Sequence, residues 1–188
     1  MALVLGFDAA RMGEDSSAYI IIEEGEDNNT HKVIFIKEVK KNTMDEAIDY
    51  ILYLHNKFKF RKIVCDSTGL GAGVVDVLAK KLNISPNIKQ QTYGTKLNQQ
   101  DIVVGLTFTI KNKEDAFSNL KLLMEQGKLK IPNHKKLIFQ LMDFRYETTA
   151  SGHLKLHHSE GGHDDLVDAL CCAAHALRIT TQHSFFFG

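Results

Sequence analysis

The sequence predicts one α/β domain, residues 1–188, built as a mixed β-sheet flanked by helices on both faces. Three observations predict it. Three β-rich runs follow one another before any helical pattern appears. Strand-like and helix-like runs then alternate. An apolar fraction of 44% with 24% charged residues suits a soluble globular chain. At 188 residues the chain can bury a sizeable core without needing a second domain.

The elements follow in order. Residues 2–8, ALVLGFD, are a short apolar run ending in an acid, as a central strand does. SAYIIIEE and HKVIFIKEVK are two further β-rich runs separated by the polar turn GEDNNT, so the first forty residues read as a three-stranded antiparallel meander. In TMDEAIDYILYLHNKF the period changes. Ala47, Ile48, Ile51, Leu52 and His55 fall at helical spacing, with Thr43 as N-cap and Glu46 completing a capping box. KIVCD (62–66) is a fourth strand, and the Gly-rich turn GLGAG leads to a helix over VVDVLAKKL. A strand near IKQQTY, a helix around DAFSNLKLLMEQG, the extended piece KLKIP and a helix over KKLIFQLMDF come next. RYETTASGHLKLHH alternates on both sides of Ser151 and Gly152, as a hairpin does. The chain closes with a helix over about residues 163–180. No internal repeat, long linker or low-complexity tract interrupts the order.

Charge and cysteine usage narrow the function classes. Lys plus Arg equals Asp plus Glu at 23 each, so any nucleic-acid contact must come from a local patch rather than from net charge. The three cysteines, Cys65, Cys171 and Cys172, lack zinc-finger spacing and read as reduced core residues of a cytosolic protein. The apolar runs are far shorter than the roughly 20 residues of a membrane span, and no signal peptide is evident. The chain is therefore expected to be neither secreted nor membrane-bound.

Three placements of acid carry chemistry. Asp8 ends the first strand and Asp66 ends KIVCD. A carboxylate delivered by an apolar strand is desolvated unless a cation or hydrogen-bond donors meet it. In α/β sheets ligands gather outside the carboxyl ends of parallel strands. In GGHDDLVDALCCAAHAL, the acids Asp164, Asp165 and Asp168 head the final helix. Each acid alone has an ordinary reading, as a turn or helix cap that complements the helix dipole. Three on one helix start exceed that need, and Asp165 and Asp168, at i and i+3, share a face. The trio Asp8, Asp66 and Asp165, with Asp168, suits Mg²⁺ or Mn²⁺, which take oxygen ligands and keep several waters. Two such ions roughly 4 Å apart activate a water and stabilise the leaving oxygen of a phosphodiester cleavage. Asp164, beside Asp165 but turned about 100° from it, reads mainly as the N-cap and only secondarily as an acid near the metal.

Weaker signals sit beside these. GLGAG lacks the third glycine of a dinucleotide fingerprint, because Val74 stands there, and reads as backbone passing close to the acids. His157, His158 and His163 have no cysteine partners or HExxH spacing and read as surface or supporting residues. Candidate DNA-backbone contacts are Lys155 in the hairpin and the stretch KFKFRK, with Lys57, Lys59, Arg61 and Lys62. NHKKL is a further basic stretch. The tail carries Phe185, Phe186 and Phe187 in a row, which points to packing or to a partner.

GFDAARMGEDSSAY, VCDSTGLGAGVVDVL, QGKLKIP and GGHDDLVDALCCA, in this order over nearly the whole chain, resemble the nuclease domain of tailed-bacteriophage terminase large subunits. The resemblance implies a ribonuclease H-like fold related to the Holliday-junction resolvases. It implies a metal-dependent endonuclease cutting concatemeric viral DNA during genome packaging. By position Asp8 matches the first-strand acid, Asp66 the second, and Asp165 the acid of the last helix; Asp168 matches an additional acid of the resolvases. The partners implied are double-stranded DNA, an ATPase domain, the small terminase subunit and the portal, in the host cytoplasm at the procapsid. The chain has no G-x-x-x-x-G-K-[ST] phosphate loop, so the ATPase motor is expected to be absent from it, as in an excised domain or a separate small nuclease.

Other readings stay open at this point. A resolvase or ribonuclease H of the same fold would use the same acids on a branched or hybrid substrate. A non-catalytic docking module of the packaging motor would not use them. An ATP-binding domain of the actin and sugar-kinase type also begins with an Asp-tipped strand and a meander, but needs more residues than are present.

Overall fold

The computed structural model describes residues 1–9, 16–26, 30–69, 71–84, 91–92, 101–143, 145–148, 154–157 and 164–182. β1 (Leu3–Asp8) is the middle strand of seven in the main sheet among these residues. On one side lie β2 (Ser16–Glu23) and β3 (His31–Lys40), paired antiparallel as the expected meander, and then the short β7 (Leu129–Lys130), parallel to β3. On the other side lie β4 (Lys62–Asp66), β6 (Val103–Thr107) and β5 (Gln91–Thr92), all parallel to β1. The expected mixed sheet is therefore present. β1 is where antiparallel pairing gives way to parallel.

Strand parity assigns the two faces. Side chains alternate along a strand, so Val4 and Val64 point one way while Leu5, Phe7, Ile63 and Cys65 point the other. The first pair joins Ala18, Ile20 and Ile22 in a core layer completed by α3 (Ile110–Glu125) and α5 (Asp165–Gln182), with Leu137 of α4 (Lys135–Asp143). The second set packs under α1 (Met44–Phe58) and α2 (Gly71–Lys81). Asp8 and Asp66 continue the parity of Val4 and Val64, and so belong to the α5 face.

α5 is the central element of that layer. Leu166, Val167, Leu170, Cys171, Cys172 and Leu177 are fully buried, and the helix touches β1, β2, β4, α3 and α4. Its alanines let it sit on the strand backbone. A Cβ built on Gly6 would overlap the Ala169 carbonyl oxygen and come within 2.9 Å of the Ala173 Cβ. The three cysteines are buried and free, and no helix among the described residues is long and apolar enough to cross a membrane.

Several expected elements hold and some move. The capping box of α1 is formed: the Glu46 N–H donates to Thr43 Oγ1 at 3.2 Å and the Thr43 N–H to Glu46 Oε2 at 2.7 Å. The hairpin across Ser151–Gly152 has its two strands, β8 (Arg145–Thr148) and β9 (Leu154–His157), paired antiparallel; its tip lies outside the described residues. β6 is a strand that the sequence reading passed over. It is five residues long and Gly105 interrupts its apolar run, yet a side chain there would crowd Ser67, whose Cβ would lie 3.0 Å away. α2 begins at Gly71 rather than Val74, and α3 begins at Ile110 rather than near Asp115, because Thr109 caps it by accepting from the Asn112 N–H at 3.2 Å. That earlier start has consequences for the site.

Candidate metal centre

The acids converge where the parity argument puts them. Phe7 pairs with Cys65 in the parallel β1–β4 ladder, so Asp8 and Asp66 are neighbouring strand tips, close enough for the charge of Asp66 to act on the Asp8 carboxyl. Beyond Asp66 the chain turns sharply. The Thr68 N–H donates to Asp66 Oδ1 at 2.8 Å, and α2 starts so close that a Cβ on Gly71 would overlap the Asp66 carbonyl oxygen. Here glycine is required by contact. The start of α5 supplies the other acids. Asp164 precedes the helix and its carbonyl accepts from the Val167 and Asp168 N–H groups, each at 2.8 Å.

The third contribution comes from α3. Its start is pinned to the loop after β4: the Phe108 N–H donates to Thr68 Oγ1 at 3.0 Å, the Ser67 and Thr107 hydroxyls lie 3.1 Å apart, and Asn112 Nδ2 donates to the Thr107 carbonyl at 2.8 Å. The first turn of α3 therefore presents Lys113 to the acids. Its Nζ donates to Asp164 Oδ2 and, at 2.8 Å, to Asp168 Oδ2. Asp168 is 7% exposed, and its other carboxylate oxygen is buried without a hydrogen-bond partner.

The electrostatics follow from burial and crowding. Desolvation first, then Asp168, Asp66, Asp165 and Asp164 in that order, hold the Asp8 carboxyl well above the ordinary carboxylate range. Asp66 is raised by burial, against hydrogen bonds from Thr68 and the pull of Lys113. Burial pushes Asp168 up to about 8, with Lys113 opposing and Asp164 and Asp66 adding to it. Burial would lower Lys113, but Asp168 and Asp164 outweigh it and keep the ammonium charged. Among the described residues no three acids, histidines or cysteines form a ready-made metal cage; the cluster is closed by Lys113 instead.

The sequence-predicted residues thus divide. Asp8, Asp66, Asp165 and Asp168 all belong to one electrostatic cluster. Asp164 was expected mainly to cap the helix; its carboxylate holds Lys113. The basic stretch before β4 does not join them, because it precedes the opposite end of that strand. Arg61 is committed to Glu24, with nitrogen–oxygen distances of 2.7 and 2.5 Å, and Lys62 is buried and donates to the Asp101 carbonyl. Both therefore already hold protein partners at the end of the strand away from the acids. Lys57 and Lys59 are exposed at the same far end. Lys155 lies on β9, opposite Glu147, in the hairpin whose strand packs on α3. His157 ends β9, while His158, His163 and the Phe185–Phe187 tail fall outside the described residues. Lys113 was missed by sequence reasoning, because α3 was started too late. The signal that finds it is Thr109, a capping residue three positions before Asn112.

A profile described as the terminase RNaseH-like domain matches residues 5–177. The chain belongs to that family. This terminase RNase H-like domain is 26% identical over 162 residues to the terminase large subunit of Thermus virus P23-45, covering 85% of the chain and 29% of that relative. It thus spans less than a third of the curated relative's length. Among solved structures it is similar to the large terminase nuclease of thermophilic phage G20c crystallised with bound magnesium, with TM-score 0.72, 23% identity, and coverage of 92% of this chain and 80% of that one. It is also similar to the nuclease domain of the bacteriophage SPP1 large terminase with bound manganese, with TM-score 0.56, 17% identity, and coverage of 92% and 85%. These two likenesses support the ribonuclease H-like fold.

Proposed function

We propose that this terminase RNase H-like domain is a divalent-metal-dependent endonuclease that cuts concatemeric viral DNA during genome packaging. The observation that carries the reading is the convergence of Asp8, Asp66, Asp165 and Asp168, from two strand tips and one helix, with Lys113 as a counter-charge on Asp168. The residues fit a hard cation. The donors are carboxylate oxygens, which Mg²⁺ and Mn²⁺ prefer. One buried oxygen of Asp168 lacks a partner, and Asp8 is crowded by four carboxylates whose repulsion a cation would cancel. The related G20c nuclease has been crystallised with magnesium and with cobalt, and the SPP1 nuclease with manganese.

In this reading Asp8, Asp66 and Asp165 hold the metal, with Asp168 one turn deeper as a further ligand or as the acceptor of a bound water. Two ions would supply Lewis-acid stabilisation of the phosphate and a water acidic enough to attack it. The protein's own part is positional. The β1–β4 ladder fixes the spacing of Asp8 and Asp66, and the seat of α5 on Gly6 fixes the height of Asp165 above them. Parity and burial keep bulk water off the inner carboxylates, where each charge interacts more strongly than in solution. The substrate is double-stranded DNA. The partners in the packaging motor are an ATPase domain, a small terminase subunit and the portal, in the host cytoplasm.

The experiment is cleavage of supercoiled plasmid by the purified chain. Mg²⁺ or Mn²⁺ should support nicking and linearisation, EDTA should abolish both, and Asp8→Asn and Asp66→Asn should be inactive while folded. Linear duplex, a four-way junction and an RNA–DNA hybrid, compared side by side, test the substrate. Equal cleavage in EDTA sinks the metal reading, and strong preference for the junction or the hybrid replaces the packaging substrate.

A further inference from the structure

We propose that Lys113, anchored on Asp164, is a tethered counter-ion that competes with divalent metal for Asp168, so that full metal loading requires its ammonium to leave that carboxylate. The inference rests on the carboxylate–metal reading above. Its basis is a bridging contact: one Nζ donates to both acids at the head of α5. An ammonium there cancels part of the charge that would draw in a cation. It also occupies Asp168 Oδ2, leaving only Oδ1 without a partner. An ammonium at hydrogen-bond distance from Asp168 Oδ2 and a metal ion coordinated by that oxygen exclude one another by contact and by like charge.

The placement is built by the fold. Lys113 stands in the first turn of α3, and that turn is held by the Thr109 cap, by the Asn112 bond to the Thr107 carbonyl, and by the Thr68 bond to the Phe108 N–H. The backbone is therefore fixed while the side chain is free to change partner. A lysine stem has four rotatable carbon bonds, and this one is 25% exposed, so the ammonium has a route outward. A second perch is within reach, since Nζ lies 6.0 Å from the centroid of the Phe108 ring. The acid it would vacate also acts on Asp8, which burial first and then the charges of Asp168, Asp66, Asp165 and Asp164 hold above the ordinary carboxylate range.

The test is calorimetric titration of Mn²⁺ into the metal-free chain, comparing wild type, Lys113→Met and Lys113→Arg without DNA. Removing the charge while keeping the length should tighten Mn²⁺ binding by roughly tenfold or more, or add a bound ion, as expected for loss of a like charge at contact distance. Lys113→Arg keeps the charge and should bind Mn²⁺ as weakly as wild type, which a packing role alone would not produce. Unchanged affinity and stoichiometry in Lys113→Met overturns the proposal, and so does an arginine variant that behaves like the methionine one. If Lys113→Met does not fold, the Lys113 Cε resonance of the wild-type chain is followed during Mg²⁺ titration. It should shift with the calorimetric midpoint, and a resonance that stays put at metal saturation overturns the proposal equally. Absence of metal binding in every chain fails the carboxylate–metal reading itself, and this inference with it.

Discussion

Asp8 carries an acid whose surroundings oppose its charge, and two predictions follow from that single residue and its neighbours. Asp8→Asn keeps the hydrogen-bonding shape and removes one repelling charge, so the metal-free melting temperature should hold or rise while cleavage is lost. Metal stabilises the native state by mass action, so the rise in melting temperature on adding Mg²⁺ should be smaller in the variant than in wild type. A variant that unfolds outright would show that Asp8 acts as a turn cap. The pH dependence has a definite sign. Burial raises Asp168 from 3.8 to about 8 in the folded chain. Over that interval the folded state keeps a proton that the unfolded state has released. The stability due to this group is complete below about 4 and is lost as pH rises through about 8. Metal-free protein should therefore melt higher at pH 5 than at pH 8, and saturating Mg²⁺, which favours the ionised acids, should shrink or reverse that order. Melting curves at the two pH values, with and without Mg²⁺, check it; a metal-free optimum at pH 8 contradicts it. At this scale the acids were legible, because Asp8 and Asp66 each end an apolar run and three more crowd one helix start. Lys113 was not, because it lies in the polar stretch KNKED and its partners are 51 and 55 residues further on.

Elements position these residues, and two of them offer a matched comparison. Thr43 caps α1 through the reciprocal bonds with Glu46, far from the acids in the layer beneath the other face. Thr43→Ala should cost about 1 kcal/mol of stability and leave plasmid cleavage unchanged. Gly6→Ala inserts a methyl group where α5 rests on β1, against the Ala169 carbonyl and the Ala173 Cβ. Overpacking of this kind costs about 1–3 kcal/mol, and relief requires α5 to lift away from the strand. Cleavage should then fall much further than the loss of stability alone accounts for. Chemical denaturation and nicking rates measured on both variants decide it; if Gly6→Ala cuts as well as Thr43→Ala, the height of α5 is not what aligns the acids. The elements visible in the sequence were those with a strong period or a reciprocal cap, such as α1, β1 and α5. β6 escaped because its central glycine, needed for the contact with Ser67, erases the strand signal.

For the whole molecule, the equal count of acidic and basic residues leaves no net positive charge to draw in DNA. The chain alone is therefore expected to bind duplex weakly and with little sequence preference. Mobility-shift titrations on unrelated duplexes should give similar, salt-sensitive affinities, and a single preferred sequence among the cleavage products contradicts this. The overall architecture was readable because hydrophobic periodicity is a property of each segment. The closure of the site was not, since it depends on which segments meet. The helix that brings the last acids is also the helix on which one whole face of the sheet depends for burial. Synthesis runs from the amino end, so a ribosome that has not yet delivered residues 164–177 holds a chain lacking both the completed core and the complete cluster. Truncation after residue 163 should give protein with no cooperative thermal transition. On the nuclease reading proposed above, hydrolytic competence then arrives only when α5 docks on the sheet.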